Sequence, residues 1–488
     1  MNKSSFRFWL NDQEITYNGN PNLTLLDFLR YGQNLRGTKI GCREGDCGAC
    51  TVMIGNVENE TIQYRQIVSC LTPMRNVANR HVVTIEGINR KDGMTLPQRL
   101  MVDNGGTQCG FCTVGFIVSM TAFCLNETKI TEEMAIKAVD GNICRCTGYH
   151  SIIRSLRHLV QELRFIEDLS PLERLEVLVN KKIVPDYFPK ITQHILQSQS
   201  KQVYPLLPAP LIIGGGTDLF VQKRHFLLEH QQDVFYTLPV NNMGIYKTEH
   251  AIIVPANATV TDLENSSVFI EEIPNFVKFA RLISSTQIRN IATVAGNFVN
   301  ASPIGDLSIL FLTMETTLVI HGRERRTVKL RDFFKSYRNV DLNEHEIITE
   351  VQIEKIKGLR TNFEKVSKRT HLDIASVNTA ISIVVDPDLS LTYVGLAIGG
   401  VSPIPLYLTQ TSNYLKGKRV SELVLKKALD ILDREISPID DVRGSAIYKR
   451  NLAKSLFIRH FMELDLISEE LAIKIMRDSI LEGGNGHA

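Results

Sequence analysis

The cysteines are confined to one part of the chain, and their spacing constrains the fold more than any other feature. All nine lie between Cys42 and Cys146, and the segment GCREGDCGAC at 41–50 is the densest part of that region. Structural disulfides are typical of small secreted domains, where cysteines are spread over the whole sequence. A large chain with all of its cysteines in one region instead favours reduced thiolates that bind metal.

The first group of cysteines has the spacing of a ferredoxin. Cys42, Cys47 and Cys50 follow the pattern C-x4-C-x2-C, and Cys70 is the candidate fourth ligand. This is the plant-type arrangement for a [2Fe–2S] cluster. Zinc is the alternative, because four thiolates also suit it, but structural zinc sites usually combine two short C-x2–4-C pairs. Since one tight loop supplies most of the ligands here, the spacing favours iron over zinc.

Glycines accompany these cysteines at positions where the backbone has to turn sharply. Gly41, Gly45 and Gly48 alternate with the ligands in the loop. A loop that wraps a cluster directs its N–H groups toward the sulfurs, and this needs positive φ angles that glycine adopts at no cost. A side chain at these positions would also crowd the cluster, so the glycines support the interpretation as an iron–sulfur loop.

The second group combines two short cysteine motifs. Cys109 and Cys112 lie in QCGFC, and Cys144 and Cys146 lie in CRC. Both motifs come directly before predicted helices, whose N-terminal ends carry partial positive charge and free N–H groups. Such a setting favours an anionic centre, and this helical pattern is uncommon among zinc modules. We therefore predict a second cluster.

The ninth cysteine and the histidines are assigned no role in chemistry. Cys124 lies on an apolar helical stripe without a partner at ligand spacing, so we predict a packed core residue. The chain has 12 histidines, and they form no H-E-x-x-H motif or close pair. No catalytic residue is predicted within this chain.

The periodicity of apolar residues predicts an α+β protein of several domains. FRFWL and EITY alternate around Asn11 and Asp12, which indicates a β-hairpin, and NLTLLDFLRYG reads as a helix capped by Asn22 or Thr24. Strand-like runs at TVMI and HVVTI complete a small α+β domain over 1–87. From 88 to 165 the period becomes helical, with Thr131 as a predicted N-cap.

The second half of the chain is predicted to begin after a linker. Residues 166–203 include Pro171, Pro185 and Pro189 together with the polar run QSQSKQ, which favours a surface linker. Strands such as LIIGGG, AIIVPA and TTLVIHG then mix with helices over 204–360. A last α+β segment over 361–475 has strand patterns at AISIVVD and LTYVGLAIG, followed by the amphipathic helix SELVLKKALDILDREI.

Composition excludes some classes of partner and location. The chain has 55 basic and 53 acidic residues in 488, for a formal charge of +2, which does not attract nucleic acid or an anionic membrane. The N-terminus MNKSSFRFWL lacks the apolar core of a signal peptide, and no stretch approaches the length of a transmembrane helix. We therefore expect a cytoplasmic protein.

Together, the motifs resemble a known family. GCREGDCGACTV, SCLTP, TQCGFCTVGF and GNICRCTGYHSI are similar to the iron–sulfur modules of the xanthine dehydrogenase family of molybdenum hydroxylases. The resemblance implies a β-grasp [2Fe–2S] ferredoxin domain, then a four-helix [2Fe–2S] domain. It also implies an α+β FAD-binding domain of the vanillyl-alcohol-oxidase-like (PCMH) type and a C-terminal α+β flavoprotein domain.

A glycine-rich segment fits the start of that flavin domain. LIIGGGTDL at 211–219 is a strand that ends in three glycines followed by Thr-Asp, and it can bring backbone N–H groups against a diphosphate. It lacks the G-x-G-x-x-G and GK[ST] fingerprints, so a plain glycine turn remains an equal alternative. The residues assigned to FAD in this segment are Ile213, Gly214, Gly215, Gly216, Thr217 and Asp218.

Two further segments resemble flavin loops of the family. The segment TQIRNIATVAGNFVNASPIGD at 286–306 implies contacts with the phosphates and ribitol of FAD. The segment EKVSKRTHLDIASV at 364–377 places Lys365 and Asp373 near the flavin. Lys365 and Asp373 could equally form a surface ion pair. The residues implied by the resemblance are Thr293, Gly296, Asn297, Asp306, Ile348, Lys365 and Asp373.

The resemblance implies an electron-transfer subunit. Single-chain relatives continue into a molybdopterin domain, whereas this sequence has 488 residues, so we expect a separate large subunit with molybdenum cofactor in a heterodimer that pairs into a heterotetramer. Electrons from hypoxanthine or xanthine oxidation would pass through the two clusters to FAD and on to NAD. The alternatives are a subunit of an aldehyde or N-heterocycle hydroxylase, oxygen as acceptor, or a stand-alone iron–sulfur flavoprotein.

Overall fold

The computed structural model describes residues 5–58, 61–126, 129–197, 211–230, 234–236, 244–369 and 371–484. The chain divides into two compact units. The first unit comprises Met1–Asn241 and Ser285–Ala292, and the second comprises Asn242–Ser284 and Thr293–Ala488. None of the helices in the described ranges combines the length and apolar character needed to cross a membrane.

Both strands and helices occur in each of the two units. The strands are β1 (Phe6–Leu10), β2 (Gln13–Tyr17), β3 (Thr51–Glu58), β4 (Thr61–Val68), β5 (His81–Val83), β6 (Leu211–Ile213), β7 (Val234–Tyr236), β8 (Tyr246–Lys247), β9 (Ala251–Pro255), β10 (Thr316–His321), β11 (Arg325–Lys329), β12 (Phe334–Ser336), β13 (Asn339–Val340), β14 (Ile347–Glu354), β15 (Arg360–Val366), β16 (Val377–Val385), β17 (Leu391–Gly399) and β18 (Leu406–Tyr407). The α-helices are α1 (Leu25–Asp27), α2 (Ile85–Ile88), α3 (Leu96–Asp103), α4 (Thr113–Asn126), α5 (Glu132–Ala138), α6 (His150–Leu163), α7 (Pro171–Asn180), α8 (Phe188–Gln197), α9 (Leu219–Gln222), α10 (Arg224–Glu229), α11 (Val260–Asn265), α12 (Ser267–Glu272), α13 (Phe276–Ala280), α14 (Thr286–Arg289), α15 (Val294–Asn300), α16 (Asp306–Leu312), α17 (Leu330–Phe333), α18 (Thr409–Leu415), α19 (Glu422–Glu435), α20 (Ala446–Glu463) and α21 (Glu469–Gly484). A π-helix, Phe28–Gly32, follows α1, and 3-10 helices lie at Met74–Val77 and Arg164–Ile166.

The first sheet confirms the predicted hairpin and the strands at TVMI and HVVTI. Its strand order is β2-β1-β5-β3-β4, with β1 antiparallel to β2 and parallel to β5. Phe6, Phe8 and Leu10 alternate with more exposed residues along β1 and bury one face against the helical segment that follows Thr24. Thr24, rather than Asn22, accepts the capping hydrogen bond from the N–H of Asp27. The parallel pairing of the first and last strands, with a helix across one face, is the β-grasp arrangement.

Four helices, α3 to α6, follow in the described part of 88–165. Helix α4 is buried from Gly115 to Cys124, because it lies at the centre of the group. Cys124 is fully buried, which confirms it as a core residue. Helix α5 begins at the predicted N-cap, since the Thr131 side chain accepts a hydrogen bond from the N–H of Met134. The described part of residues 88–165 is therefore helical, as predicted.

The surface linker predicted for 166–203 is wrong over the part that the structure describes. Helices α7 and α8 occupy 171–180 and 188–197, and Leu178, Val184 and Phe188 are buried in the same core as α4. Proline is favoured in the first turn of a helix because the missing N–H would have no partner there. Pro171 begins α7 after a capping box from Ser170, so this proline starts a helix. Residues 198–203 lie outside the described residues.

The predicted FAD-binding domain at 204–360 is divided between the two compact units. Residues 204–210 lie outside the described part, and β6 pairs in parallel with β7 in the first unit. Ile213 and Phe220 are buried with Leu26, Cys50 and other residues of the ferredoxin-like domain. This shared core explains why the glycine-rich segment belongs to the first unit.

The second unit contains two larger antiparallel sheets. One has the order β11-β10-β14-β9-β8, and the other has the order β15-β16-β17-β18. The strands predicted at AIIVPA, TTLVIHG, AISIVVD and LTYVGLAIG are β9, β10, β16 and β17. Helix α19 begins after Ser421, whose side chain accepts a hydrogen bond from the N–H of Val424, and it packs with α20 and α21 on the second sheet. The α+β fold class is thus confirmed.

Candidate metal centres and flavin site

The four cysteines of the first group lie in two pairs of interacting neighbours. Cys42 lies beside Cys47, and Cys50 lies beside Cys70. The interaction between the first two sulfurs lowers the pKa of Cys42 to about 5 and raises the pKa of Cys47, as expected when two sulfurs share one proton. Cys50 and Cys70 are buried, whereas Cys42 and Cys47 are partly exposed. The loop therefore gathers the predicted ligands, with one pair facing inward.

The backbone of this loop turns toward the sulfurs as the glycines predict. The N–H of Glu44 donates to Cys42 Sγ at 3.3 Å, and the N–H of Cys42 donates to Cys47 Sγ at 3.4 Å. Gly45 and Gly48 have φ values of +82° and +67°. Gly41 has no positive φ, which corrects that part of the prediction. Glycine is needed at position 41 for a steric reason, because an added Cβ would lie 2.6 Å from Cys47 Sγ.

The second group also forms two pairs. Cys109 Sγ and Cys146 Sγ are 3.5 Å apart, and Cys112 lies beside Cys144. Cys112 directly precedes α4, and the N–H of Thr147 donates to Cys144 Sγ at 3.5 Å. Cys109 and Cys146 are exposed. This group thus opens to the surface of the described first unit, in contrast to the buried pair of the first group.

Paired thiols are the arrangement that a two-iron cluster requires. Each iron of a [2Fe–2S] cluster takes two of the four protein ligands, whereas one zinc ion would draw four thiolates to a single point. All nine cysteines are free thiols. The eight cysteines therefore fit two clusters by donor chemistry and by grouping.

An asparagine joins the two cysteine groups and was missed from the sequence. Asn142 is buried two residues before Cys144, and its amide N–H groups donate to the carbonyl oxygen of Gly48 at 3.1 Å and to Thr51. Its amide oxygen accepts from Ser119 at 2.8 Å and from Gln287 at 2.9 Å. The only sequence signal is a polar residue close to a ligand motif.

An aspartate beside the first cysteine loop was also missed. Asp27 Oδ1 accepts a hydrogen bond of 2.8 Å from Arg43, which follows Cys42, and Oδ2 accepts from Arg224 of α10 and from Thr24. Burial raises the pKa of Asp27, but the hydrogen bonds from Arg43 and Thr24 and the charge of Arg224 outweigh it and lower the pKa. An acid inside the otherwise apolar run LLDFL was the available signal.

The glycine-rich segment is shaped partly by packing inside the first unit. A Cβ on Gly215 would lie 1.7 Å from the carbonyl oxygen of Ile291, and Gly216 has a φ of +80°. The carbonyl oxygen of Gly214 accepts a hydrogen bond of 2.9 Å from Asn76. Asp218 accepts hydrogen bonds from Gln222 at 2.7 and 2.8 Å. Close packing alone explains Gly215, so this glycine does not by itself indicate a phosphate site.

In the second unit, the other predicted flavin loop is held by side-chain caps. The Thr293 side chain accepts a hydrogen bond from the N–H of Gly296 at 3.2 Å and so begins α15. Asn297 Oδ1 accepts from the N–H and the hydroxyl of Ser308 at 3.1 and 2.9 Å. These bonds order the chain on both sides of residues 300–305.

Lys365 and Asp306 form a buried ion pair in the same unit. Lys365 Nζ lies 2.7 Å from Asp306 Oδ2 and donates to the carbonyl oxygen of Leu282 at 2.7 Å. Asn378, which the sequence did not single out, donates to Asp306 Oδ1 at 2.6 Å and to the carbonyl oxygen of Ile304 at 3.1 Å. The Lys365 side chain is only 2% exposed. The pair therefore fixes the end of the predicted flavin loop.

Asp373 and Ile348 are the remaining predicted flavin residues of the second unit, and Asp373 was also a candidate for an ion pair with Lys365. Asp373 accepts hydrogen bonds from the N–H groups of Arg369 and Ile374 and does not pair with Lys365. Ile348 is buried in β14 opposite Ile320 of β10. The alternative of a surface pair between Lys365 and Asp373 is therefore wrong.

The donor set of the second unit fits a flavin nucleotide. Hydroxyl, amide, carboxylate and ammonium groups follow one another along 293–306 and meet at the buried pair of Lys365 and Asp306. Such groups can hydrogen-bond the phosphates and ribitol of FAD. If FAD binds, Thr293, Asn297, Asp306 and Lys365 are the residues of this unit that would hold it.

Four protein-family models match successive parts of the chain. They are a 2Fe-2S iron–sulfur cluster binding domain at 8–75, a [2Fe-2S] binding domain at 84–157, the FAD binding domain in molybdopterin dehydrogenase at 187–354, and the CO dehydrogenase flavoprotein C-terminal domain at 363–464. Together they account for most of the described sequence in the order that the cysteine and glycine motifs predict.

Curated relatives are similar over nearly the whole chain. A xanthine dehydrogenase of Emericella nidulans is 29% identical, and the match covers 94% of this chain and 38% of the relative. A xanthine dehydrogenase of Oryza sativa subsp. japonica is 28% identical, with 93% of this chain and 39% of the relative covered. The chain thus spans about two fifths of the length of these relatives.

Solved structures of related enzymes are also similar. The carbon monoxide dehydrogenase from Hydrogenophaga pseudoflava that lacks the Mo-pyranopterin moiety is 24% identical, with a TM-score of 0.48, and the match covers 52% of this chain and 88% of that chain. Quinoline 2-oxidoreductase from Pseudomonas putida 86 is 22% identical, with a TM-score of 0.45, and the match covers 55% of this chain and 90% of that chain. From the family models and the relatives, the chain belongs to the molybdenum hydroxylase family and contains its iron–sulfur and FAD-binding domains.

Proposed function

We propose that the chain is the electron-transfer subunit of a xanthine dehydrogenase and acts with a partner subunit that holds the molybdenum cofactor. The partner oxidises hypoxanthine or xanthine, and this chain carries the electrons to NAD. Support comes from the xanthine dehydrogenase names of the relatives and from the four family models. The observation that carries the proposal is the grouping of eight cysteines into four thiol pairs within the first unit.

The proposed ligands of the two clusters are the paired cysteines, and the residues of the second unit proposed to hold FAD are those of the loop ending at Asp306. Bound clusters supply single-electron transfer, and bound FAD supplies hydride exchange with NAD. The chain's own residues hold the sulfurs, donate N–H groups to them and exclude water from Cys50 and Cys70. Hydrogen bonds to sulfur and burial are the means by which a protein adjusts cluster potentials.

Exposure of the cysteines supports an order for the two centres. Cys109 and Cys146 are exposed, so the helical-domain centre is the one accessible to an electron donor on another chain. Cys70 is buried, and the adjacent Leu71 packs in one core with Ile213, next to the glycine-rich segment. The proposed direction therefore runs from the helical domain to the ferredoxin-like domain and then to the flavin.

Metal and flavin analysis of anaerobically purified protein tests the cofactors. The proposal expects about four irons per chain from two clusters, and bleaching of a bound flavin on addition of NADH. Cys42→Ala should remove about half of the iron, whereas Cys124→Ala, which changes a buried non-ligand cysteine, should retain all of it. Colourless protein with stoichiometric zinc and neither iron nor flavin would refute the proposal.

Co-purification tests the partner. A stable complex with a molybdenum-containing chain, active toward xanthine and NAD, is the expected result. A single chain that oxidises xanthine fully on its own would contradict the need for a partner. Activity of the complex toward an aldehyde or an N-heterocycle, but not toward purines, would replace xanthine as the substrate.

A further inference from the structure

Asp27 connects two basic residues from distant parts of the first unit. Arg43 donates to it through both terminal nitrogens, at 2.8 Å to Oδ1 and 3.4 Å to Oδ2, and Arg224 donates to Oδ2. Thr24 Oγ1 also donates to Oδ2 at 2.7 Å. The carboxylate is therefore fully engaged, and its side chain is only 10% exposed.

The two arginines belong to segments with different proposed roles. Arg43 lies in the cysteine loop between Cys42 and Glu44 and adopts a φ of +59°, which is uncommon for a residue with a side chain. Arg224 begins α10, shortly after the glycine-rich segment. The ion pair with Asp27 offsets the strained conformation at Arg43 and holds its guanidinium in place beside the loop.

The charge of Arg43 acts on the first cysteine site. Arg43 directly follows the ligand candidate Cys42, and Leu26, the residue before Asp27, packs in one core with Cys50 and Cys70. The Arg43 and Arg224 side chains are 28% and 21% exposed, so solvent screens this group less than it would screen a fully exposed one. Reduction of a cluster adds negative charge, which nearby cations favour and nearby anions oppose.

We propose that Asp27 lowers the reduction potential of the ferredoxin-like cluster by offsetting the positive charges of Arg43 and Arg224 beside it. This inference rests on the proposed function, because it needs the cluster at Cys42, Cys47, Cys50 and Cys70. The helical-domain cluster has no part in the arrangement and serves as an internal reference.

A redox titration of the full chain with both clusters, followed by electron paramagnetic resonance, tests the proposal. The signal that Cys42→Ala removes is assigned to the ferredoxin-like cluster. Asp27→Asn removes a negative charge, so at a fixed potential the ratio of reduced to oxidised ferredoxin-like cluster should rise about tenfold, equal to about 59 mV for one electron. The helical-domain signal should not move.

Two further variants fix the sign of the effect. Arg43→Gln removes a positive charge and should shift the same potential downward, and the double variant Asp27→Asn/Arg43→Gln should return it close to the parent value. Asp92→Asn is the matched control, because Asp92 also bridges two basic residues, Arg90 and Lys182, outside the cysteine loops. This control should leave both potentials unchanged.

Each outcome decides the proposal. An unchanged ferredoxin-like potential in Asp27→Asn, or equal shifts of both clusters, would overturn it. If Asp27→Asn does not retain the cluster, Arg43→Gln decides, since a downward shift supports the proposal and an unchanged potential overturns it. Absence of the cluster signal from the parent protein would instead refute the proposed function.

Discussion

The backbone N–H of Ile143 donates a hydrogen bond of 3.1 Å to the carbonyl oxygen of Cys47. Ile143 directly precedes Cys144, so one hydrogen bond joins a ligand candidate of the first group to the neighbour of a ligand candidate of the second. Asn142 adds a second connection through the carbonyl oxygen of Gly48. The two cysteine groups are therefore parts of one packed structure, and a change between them should affect both.

Substitution of Asn142 tests that connection. Asn142→Ala leaves the Gly48 carbonyl and the Ser119 and Gln287 donors without their shared partner in a buried site, and we expect a loss of about 2 to 4 kcal/mol in the free energy of unfolding. Urea unfolding, followed by visible absorption of the clusters, measures it. Asn89→Ala, at an exposed amide bonded to Gln98, should cost less than about 0.5 kcal/mol. Equal losses in the two variants would contradict the connection.

Because Cys47 leaves no room for a side chain at Gly41, a substitution there should affect the ferredoxin-like cluster alone. Gly41→Ala places a methyl group 2.6 Å from Cys47 Sγ, and the loop cannot yield without moving a ligand. We expect iron to fall from about four to about two per chain, with loss of the ferredoxin-like signal only. Gly244→Ala, where an added Cβ has no neighbour within 4 Å, should retain all of the iron. Full iron content in Gly41→Ala would show that the ligands lie elsewhere.

Breaking the buried ion pair of the second unit should be costly. Lys365→Met leaves Asp306 charged and largely buried, so we expect a loss of about 3 to 5 kcal/mol in the free energy of unfolding and a lower FAD content. Urea unfolding followed by circular dichroism, with flavin extraction, measures both.

The double variant and an exposed pair provide the controls for Lys365. Lys365→Met/Asp306→Asn should recover part of the loss, because the unpaired charge is removed. Lys247→Met breaks an exposed pair with Glu271 and should leave the unfolding midpoint nearly unchanged. Additive effects in the double variant would show that Lys365 and Asp306 do not stabilise each other.

A buried histidine makes the stability of the second unit depend on pH. His460 is bonded to Asn362 and Thr379, and burial lowers its pKa from 6.5 to about 3. The unfolded chain takes up a proton as the pH falls below 6.5, whereas the folded chain does not until about pH 3. The contribution of His460 to the free energy of unfolding is therefore complete above pH 6.5. It falls by about 1.4 kcal/mol for each pH unit between pH 6.5 and about pH 3.

Thermal unfolding between pH 7.5 and pH 5 measures the contribution of His460. His460→Gln cannot take up a proton, so it should be less stable at pH 7.5 but show a weaker decline toward pH 5. His250→Gln, at an exposed histidine, should keep the parent profile. The same decline in His460→Gln as in the parent would assign the pH dependence to other groups.

The cysteine spacing predicted the chemistry of the first unit well, because ligand identity and loop glycines are local properties. The positive φ values of Gly45 and Gly48 and the hairpin of β1 and β2 follow from residues close together in the chain. The helices in the predicted linker were missed although Ser170, Pro171 and Glu173 form a local capping box. Proline was read there as a breaker when its position at the start of a helix made it a favourable first residue.

The sequence by itself determined which cysteines are candidate metal ligands and where the first hairpin and helix α5 begin, since these depend on side-chain chemistry and short-range backbone preference. Only the tertiary structure decided that Asp27 pairs with Arg43 and Arg224, that Lys365 pairs with Asp306 rather than Asp373, and that the glycine-rich segment shares a core with Cys70. Those partners are far apart in sequence, and a charged or apolar group is placed by whichever distant residues bury and satisfy it.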